Sequence, residues 1–224
     1  MLHNVKLGKN LRSVSIVGVG ATPFFNGVEN PTYRGLTNGE LFGHAALDAM
    51  KDAGIEPRDV QYFFHGQANP HVLNGCITPN LQVADWFGMR GKGSLSHSEG
   101  CCTGYIALEE AVFAVASGAY DIVLSGCSEQ GTGMPDGNTP DHMRVPLTSE
   151  VLFPDLDSIF DRAYGRYLGG GPGMNHDDWI NYYAKENGLT PEQIDDVLNH
   201  QAYHFRRAAA LCPRAIRRKP FDEM

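Results

Sequence analysis

The chain has 224 residues, 42% of them hydrophobic and 20% charged, with a formal charge of −8. That length holds one large domain or one and a half small ones, with ample apolar content for a packed core. The acidic balance argues against nucleic acid as a partner, and no apolar run approaches the roughly 20 residues that span a bilayer. The basic N-terminus is not followed by an apolar signal core. Five cysteines, two of them adjacent, do not make a disulfide framework, so a reducing cytoplasm is the expected setting.

Residues 14–19 are apolar and β-branched and predict a buried strand that opens the fold. Gly18 and Gly20 do not make a dinucleotide loop, because Pro23 stands where a third glycine and a running helix belong. Residues 30–36 read as a loop. Residues 38–53 predict a helix that buries Leu41, Phe42, Ala45, Ala49 and Met50 and closes at Gly54. A second strand is expected at 60–64, a short helix at 80–87 and a third strand at 93–97. The next helix runs from Thr103 toward Gly118, with Ile106, Leu108, Val112, Phe113 and Val115 on its apolar face. A fourth strand follows at 120–125. This alternation implies a layered, doubly wound α/β domain with a parallel-rich sheet. Residues 131–149 are rich in Gly, Pro, Asp and Thr and read as a loop or lid. Residues 174–187 predict a helix with Asp177 and Asp178 near its N-terminus. Thr190, Pro191 and Gln193 then form a capped start for a helix reaching to about 211.

The chemistry centres on Cys101, in Ser98-Glu99-Gly100-Cys101-Cys102-Thr103-Gly104, where the third strand runs into a long helix. A cysteine at a helix start feels the positive end of the macrodipole, which favours the nucleophilic thiolate. The competing reading is a small, inert core cysteine.

The run from Glu99 to Gln130 resembles the nucleophile segment of the thiolase superfamily. It carries Cys101-Cys102-Thr103-Gly104, Ala107-Leu108, Ala116-Ser117-Gly118, Asp121-Ile122-Val123-Leu124 and Gly126-Cys127-Ser128-Glu129. The opening around residues 14–24 and the stretch 206–220 are similar to sterol-carrier-protein-type thiolases, although Ala208 and Cys212 replace that family's His and Asn. The resemblance covers about residues 13–220. It implies a thiolase-like α/β domain over residues 1–130 carrying the nucleophile, and a mostly helical loop (lid) domain over 131–224. It also implies a C-terminal half, absent from this sequence, that would supply a catalytic histidine and a second cysteine. Because Gly104 holds the family's +3 spacing, Cys101 is the expected nucleophile; Cys102 is a candidate to line the site, the other readings being a small buried residue or a redox partner.

Other residues are weighed beside it. His65 and Gln67 follow the second strand, and open α/β sheets place ligands off the carboxyl ends of their strands. His97 ends the third strand, four residues before Cys101, and is either a base near the thiol or a satisfied histidine at the sheet edge. The family pairs that strand across a dimer interface. His200 and His204 have i, i+4 spacing but no third ligand, so no metal is expected. Arg206, Arg207 and Arg214 belong to a basic cluster; they read either as a clamp for the phosphates of coenzyme A or as a solvated helix end.

The resemblance implies an acyltransferase that makes or breaks a carbon–carbon bond next to a CoA thioester through an acyl-Cys101 intermediate. The chain alone is not expected to be competent. The alternative is a non-catalytic, accessory subunit that dimerises or docks. No tightly bound cofactor is expected, the CoA thioester being substrate. The implied partners are a second copy (a homodimer or higher oligomer) and, as in some relatives, a small zinc-ribbon and OB-fold subunit.

Overall fold

A computed structural model describes residues 11–24, 36–68, 78–129, 172–216 and 218–219 of the chain. Of the segments read above as loop or lid, 131–149 and all of 30–36 but Leu36 lie outside these residues.

Helix α1 spans Asn38–Ala53. Thr37 caps it by accepting the Glu40 N–H at 3.2 Å, while the Glu40 carboxylate accepts the Thr37 N–H at 2.7 Å. Such reciprocal caps satisfy donors that a helix start otherwise leaves unpaired. Gly54, at φ 69°, ends the helix in the left-handed conformation that glycine adopts without strain. Strand β1 (Tyr62–Gly66), helix α2 (Pro79–Ala84) and strand β2 (Gly93–His97) follow. A single 3-10 turn, Gly100–Cys102, leads into helix α3 (Thr103–Ala116), and strand β3 (Val123–Cys127) completes the sheet among the described residues. Helices α4 (Pro172–Asn187) and α5 (Pro191–Leu211) close the described chain, with Thr190 and Gln193 forming the expected capping box on α5.

The sheet order is β2-β1-β3, and both pairings are parallel. Parallel strands need crossovers and cover on both faces. Phe42, Ala46 and Met50 of α1 and Val83 and Ala84 of α2 pack with Phe63 on one face, and Ala107 and Ala111 of α3 pack on Phe64 of the other. The result is the layered α/β architecture that the alternation implies.

Two expectations fail. Residues 14–19 form no strand, and their apolar side chains are not buried: Ile16 is 73% and Val17 66% exposed. β-Propensity reports a fit to a pleated, half-buried surface and needs a partner edge to act on. Here the segment crosses α1 instead. A Cβ at Gly18 would collide with the Ala49 carbonyl and one at Gly20 with that of Ala45, and the Val19 N–H donates to Asp52 Oδ2 at 2.9 Å. The second correction concerns α3. Its inward residues are Thr103, Ala107, Ala111 and Ala116, whereas Leu108, Val112 and Phe113 are exposed. Small residues let a helix lie close on a sheet, so the bulky ones are turned outward.

Candidate active site at the carboxyl ends of the strands

Parallel pairing in register (Gly66 opposite His97 and Cys127) brings the ends of all three strands to one edge. The turn holding Cys101 and Cys102 springs from β2 at this edge. Gly100 has φ 54°, which an L side chain would strain. Thr103 latches the turn: its hydroxyl donates to the Gly100 carbonyl at 2.7 Å and accepts the Glu99 N–H at 2.8 Å. The Cys102 N–H donates to the Glu99 carbonyl at 3.1 Å. Cys101 and Cys102 are both exposed residues.

Two glycines set how low the helix sits. A Cβ at Gly104 would meet Cys127 Sγ at 3.0 Å, and one at Gly66 would meet Thr103 Cγ2 at 2.5 Å. Gly66→Ala therefore forces Thr103, and the turn it latches, off the sheet. We expect a loss of about 1–3 kcal/mol in a denaturant titration, typical of overpacking. An unchanged midpoint would show that the close contact relaxes freely.

The predicted site residues divide between the two faces. His65 is fully buried on the α1 side, edge-on to Phe42 at 4.7 Å between ring centroids, with Nε2 3.0 Å from Ser128 Oγ. Burial pushes it down to about 4, so it is neutral at neutral pH. His97 lies on the α3 side, stacked on Phe64 at 6.1 Å, and its buried Nε2 has no hydrogen-bond partner. Gln67 is buried and accepts from Asn38 Nδ2 at 2.9 Å, while its N–H donates to the His97 carbonyl at 3.1 Å.

Sequence reasoning assigned no role to Glu129, although it closes the quoted Gly126–Glu129 motif. Its Oε2 accepts the Ala68 N–H at 2.7 Å. The side chain keeps an exposed edge, yet enough water is withdrawn to push its carboxyl up, against the opposing hydrogen bonds from Ala68 and Gln67. Cys127 likewise keeps an exposed edge while burial, and secondarily Glu129, raises its thiol. A carboxylate two residues past a strand has no periodic signature, and its partner Ala68 is revealed by the fold alone.

No family model matches the chain. It is 30% identical over 159 residues to an acetyl-CoA acetyltransferase of Methanocaldococcus jannaschii, a match covering 70% of this chain and 39% of the relative. An acetyl-CoA acetyltransferase of Methanothermobacter thermautotrophicus is 26% identical over 197 residues, covering 85% of this chain and 45% of the relative. These matches support a fragment of the thiolase superfamily. It spans less than half the length of these curated relatives. A solved structure described as "Ltp2-ChsH2(DUF35) aldolase" shares the fold, with TM-score 0.59 and 22% identity over 92% of this chain and 46% of that one.

Within this thiolase fold the basic residues lie away from the strand ends in sequence. Arg206, half-buried, and Arg207 are on α5, and the Arg207 guanidinium sits 5.7 Å from the Tyr203 ring centroid. Arg214 follows α5; its Nε donates to the Ala21 carbonyl at 2.9 Å, and its own carbonyl accepts the Phe24 N–H at 2.8 Å. His200 and His204 approach to 3.0 Å through Nε2, and no group of three metal-ligating side chains occurs among the described residues. No helix among them is long and apolar enough to cross a membrane.

Proposed function

We propose that the chain carries the nucleophile of a thiolase-like acyltransferase, with Cys101 taking an acyl group from a CoA thioester before a carbon–carbon bond is made or broken. One observation carries this reading. An exposed cysteine follows a left-handed glycine on a latched turn at the carboxyl edge of a parallel sheet, in a chain related to acetyl-CoA acetyltransferases. In the acylation step the Cys101 thiolate bonds to the carbonyl carbon, the carbon–sulfur bond to CoA breaks, and CoA leaves as a thiolate that takes up a proton. The Cys101 backbone N–H is one donor for the oxyanion. This reading assigns the second donor and the base for turnover to no described residue of the chain. Cys102, His97, His65 and Gln67 line the site on this reading, His97 from the α3 side and His65 and Gln67 from the α1 side.

Arg206, Arg207 and Arg214 are the proposed clamp for the phosphates of CoA, which is substrate and not a resident cofactor. Replacing Arg206 and Arg207 together with alanine is expected to weaken CoA-thioester binding about tenfold, the scale of a lost charge-assisted contact. An unchanged Kd by calorimetry eliminates the clamp. A second copy of the chain and a small zinc-ribbon/OB-fold subunit are the proposed partners, and the cytoplasm the proposed setting.

The test is intact-mass measurement after incubation with acetyl-CoA, followed by peptide mapping. An acetyl group on Cys101 is the expected result. No adduct would favour the second reading, an accessory subunit that docks without turnover. That reading draws on the exposed apolar residues of α3 and on α5, no residue of which is buried.

A further inference from the structure

We propose that Glu129 is a positioning residue for the nucleophile, acting through Ala68 and Ser98; the role rests on the reading of Cys101 given above. Glu129 Oε2 accepts the Ala68 N–H at 2.7 Å, and the carbonyl of the same Ala68 accepts from Ser98 Oγ at 2.8 Å. Ser98 stands three residues before Cys101, at the foot of its turn. The carboxylate of the β3 end therefore fixes the β1 end, and the β1 end fixes the segment leaving β2. Thr103 holds the other side of the turn through Gly100 and Glu99. The Cys101 turn is thus tied at both flanks, once by its own helix and once by Glu129.

An acceptor is required at this place. Gln67 spends its Oε1 on Asn38, which leaves its amide hydrogens to donate toward Glu129. Glu129 faces two donors, the Ala68 N–H and the Gln67 amide, and an ionised carboxylate accepts both. A glutamine at 129 keeps one acceptor oxygen and so preserves the Ala68 bond. An alanine keeps none. It leaves the Ala68 N–H without its carboxylate and frees the β1 end to drift, and small misplacements of a reacting group cost rate steeply.

The experiment uses the full chain and reads two quantities in wild type, Glu129→Ala, Glu129→Gln, Ser98→Ala and the Glu129→Ala/Ser98→Ala double variant. One is the rate of acetyl adduct formation on Cys101 from acetyl-CoA. The other is amide hydrogen exchange in the peptide spanning residues 98–103. Glu129→Ala and Ser98→Ala are each expected to slow acylation and to quicken exchange by about tenfold, with the double variant no worse than the poorer single. Glu129→Gln is expected to recover most of both, which loss of packing alone would not produce. Wild-type acylation and exchange in Glu129→Ala, or single effects that multiply in the double variant, overturn the role. If wild-type protein takes no acetyl group, the Cys101 reading falls by itself. Exchange at 98–103 then still decides whether Glu129 orders the turn.

Discussion

Cys101→Ala is expected to lose the acetyl adduct altogether, while Cys102→Ala keeps a rate within about threefold of wild type; loss of a nucleophile ordinarily costs four or more orders of magnitude. The two cysteines share one turn and both are exposed residues, so exposure does not separate them. The backbone does. The Cys102 N–H is already committed to the Glu99 carbonyl at 3.1 Å and is not available to an oxyanion at that sulfur. Cys101 follows the left-handed Gly100 and precedes by three residues Gly104, where a Cβ would meet Cys127 Sγ at 3.0 Å. The spacing that the family resemblance singles out therefore has a physical reason: position 104 must be bare for the helix to come down on β3. Peptide mapping checks the outcome. An adduct on Cys102 that survives Cys101→Ala would move the nucleophile by one residue.

Acidification is expected to remove about 3 kcal/mol of stability between pH 6.5 and 4 through His65 alone, its fall from 6.5 to about 4 being worth that much by linkage. As the pH drops through 6.5 the unfolded chain binds a proton at this imidazole, and the folded chain refuses it until about 4. The unfolded state therefore binds more protons in this window, and stability falls as the pH falls. Above 6.5 the contribution is fully present. Glu129 works in the opposite sense, because its raised carboxyl lets the folded chain take a proton first as the pH approaches the ordinary carboxylate range. The observed slope should thus be shallower than that of His65 alone at the acid end. Urea titrations from pH 7 to pH 4.5 measure it. His65→Phe is expected to be about 1–2 kcal/mol less stable at pH 7, since Ser128 loses its partner, but flatter across the window. A wild-type stability that does not change across that range would show that the buried imidazole is protonated on the α1 face after all.

Helices α1 and α5 were legible because their ends carry chemistry that acts locally: a glycine that can turn left-handed after α1, and a threonine, proline and glutamine in fixed order before α5. Strand β2 matched at both ends. Strand β1 came out two residues late, at Tyr62–Gly66 instead of 60–64, because the pairing register, not hydrophobicity, draws His65 and Gly66 into the sheet. The failures share a cause. Apolar side chains at 14–19 and on α3 state that something is to be covered without stating by what, and the small inward residues of α3 give a weaker periodic signal than the large outward ones. At the site, Cys101 was legible from its motif. Asn38, Ser128 and Glu129 were not, since their partners are 29, 63 and 61 residues away in the chain.

Helix α3 is oily on both sides, with alanines toward the sheet and Tyr105, Leu108, Val112 and Phe113 turned away from it. Whatever settles on those outer side chains comes down beside the Cys101 turn at the head of the same helix. On the proposed reading, shielding the oil and shielding an acylated Cys101 from water become one event, and that thioester is expected to hydrolyse fastest when the outer flank is bare. The rate at which such an adduct leaks away to free acid is then a gauge of assembly.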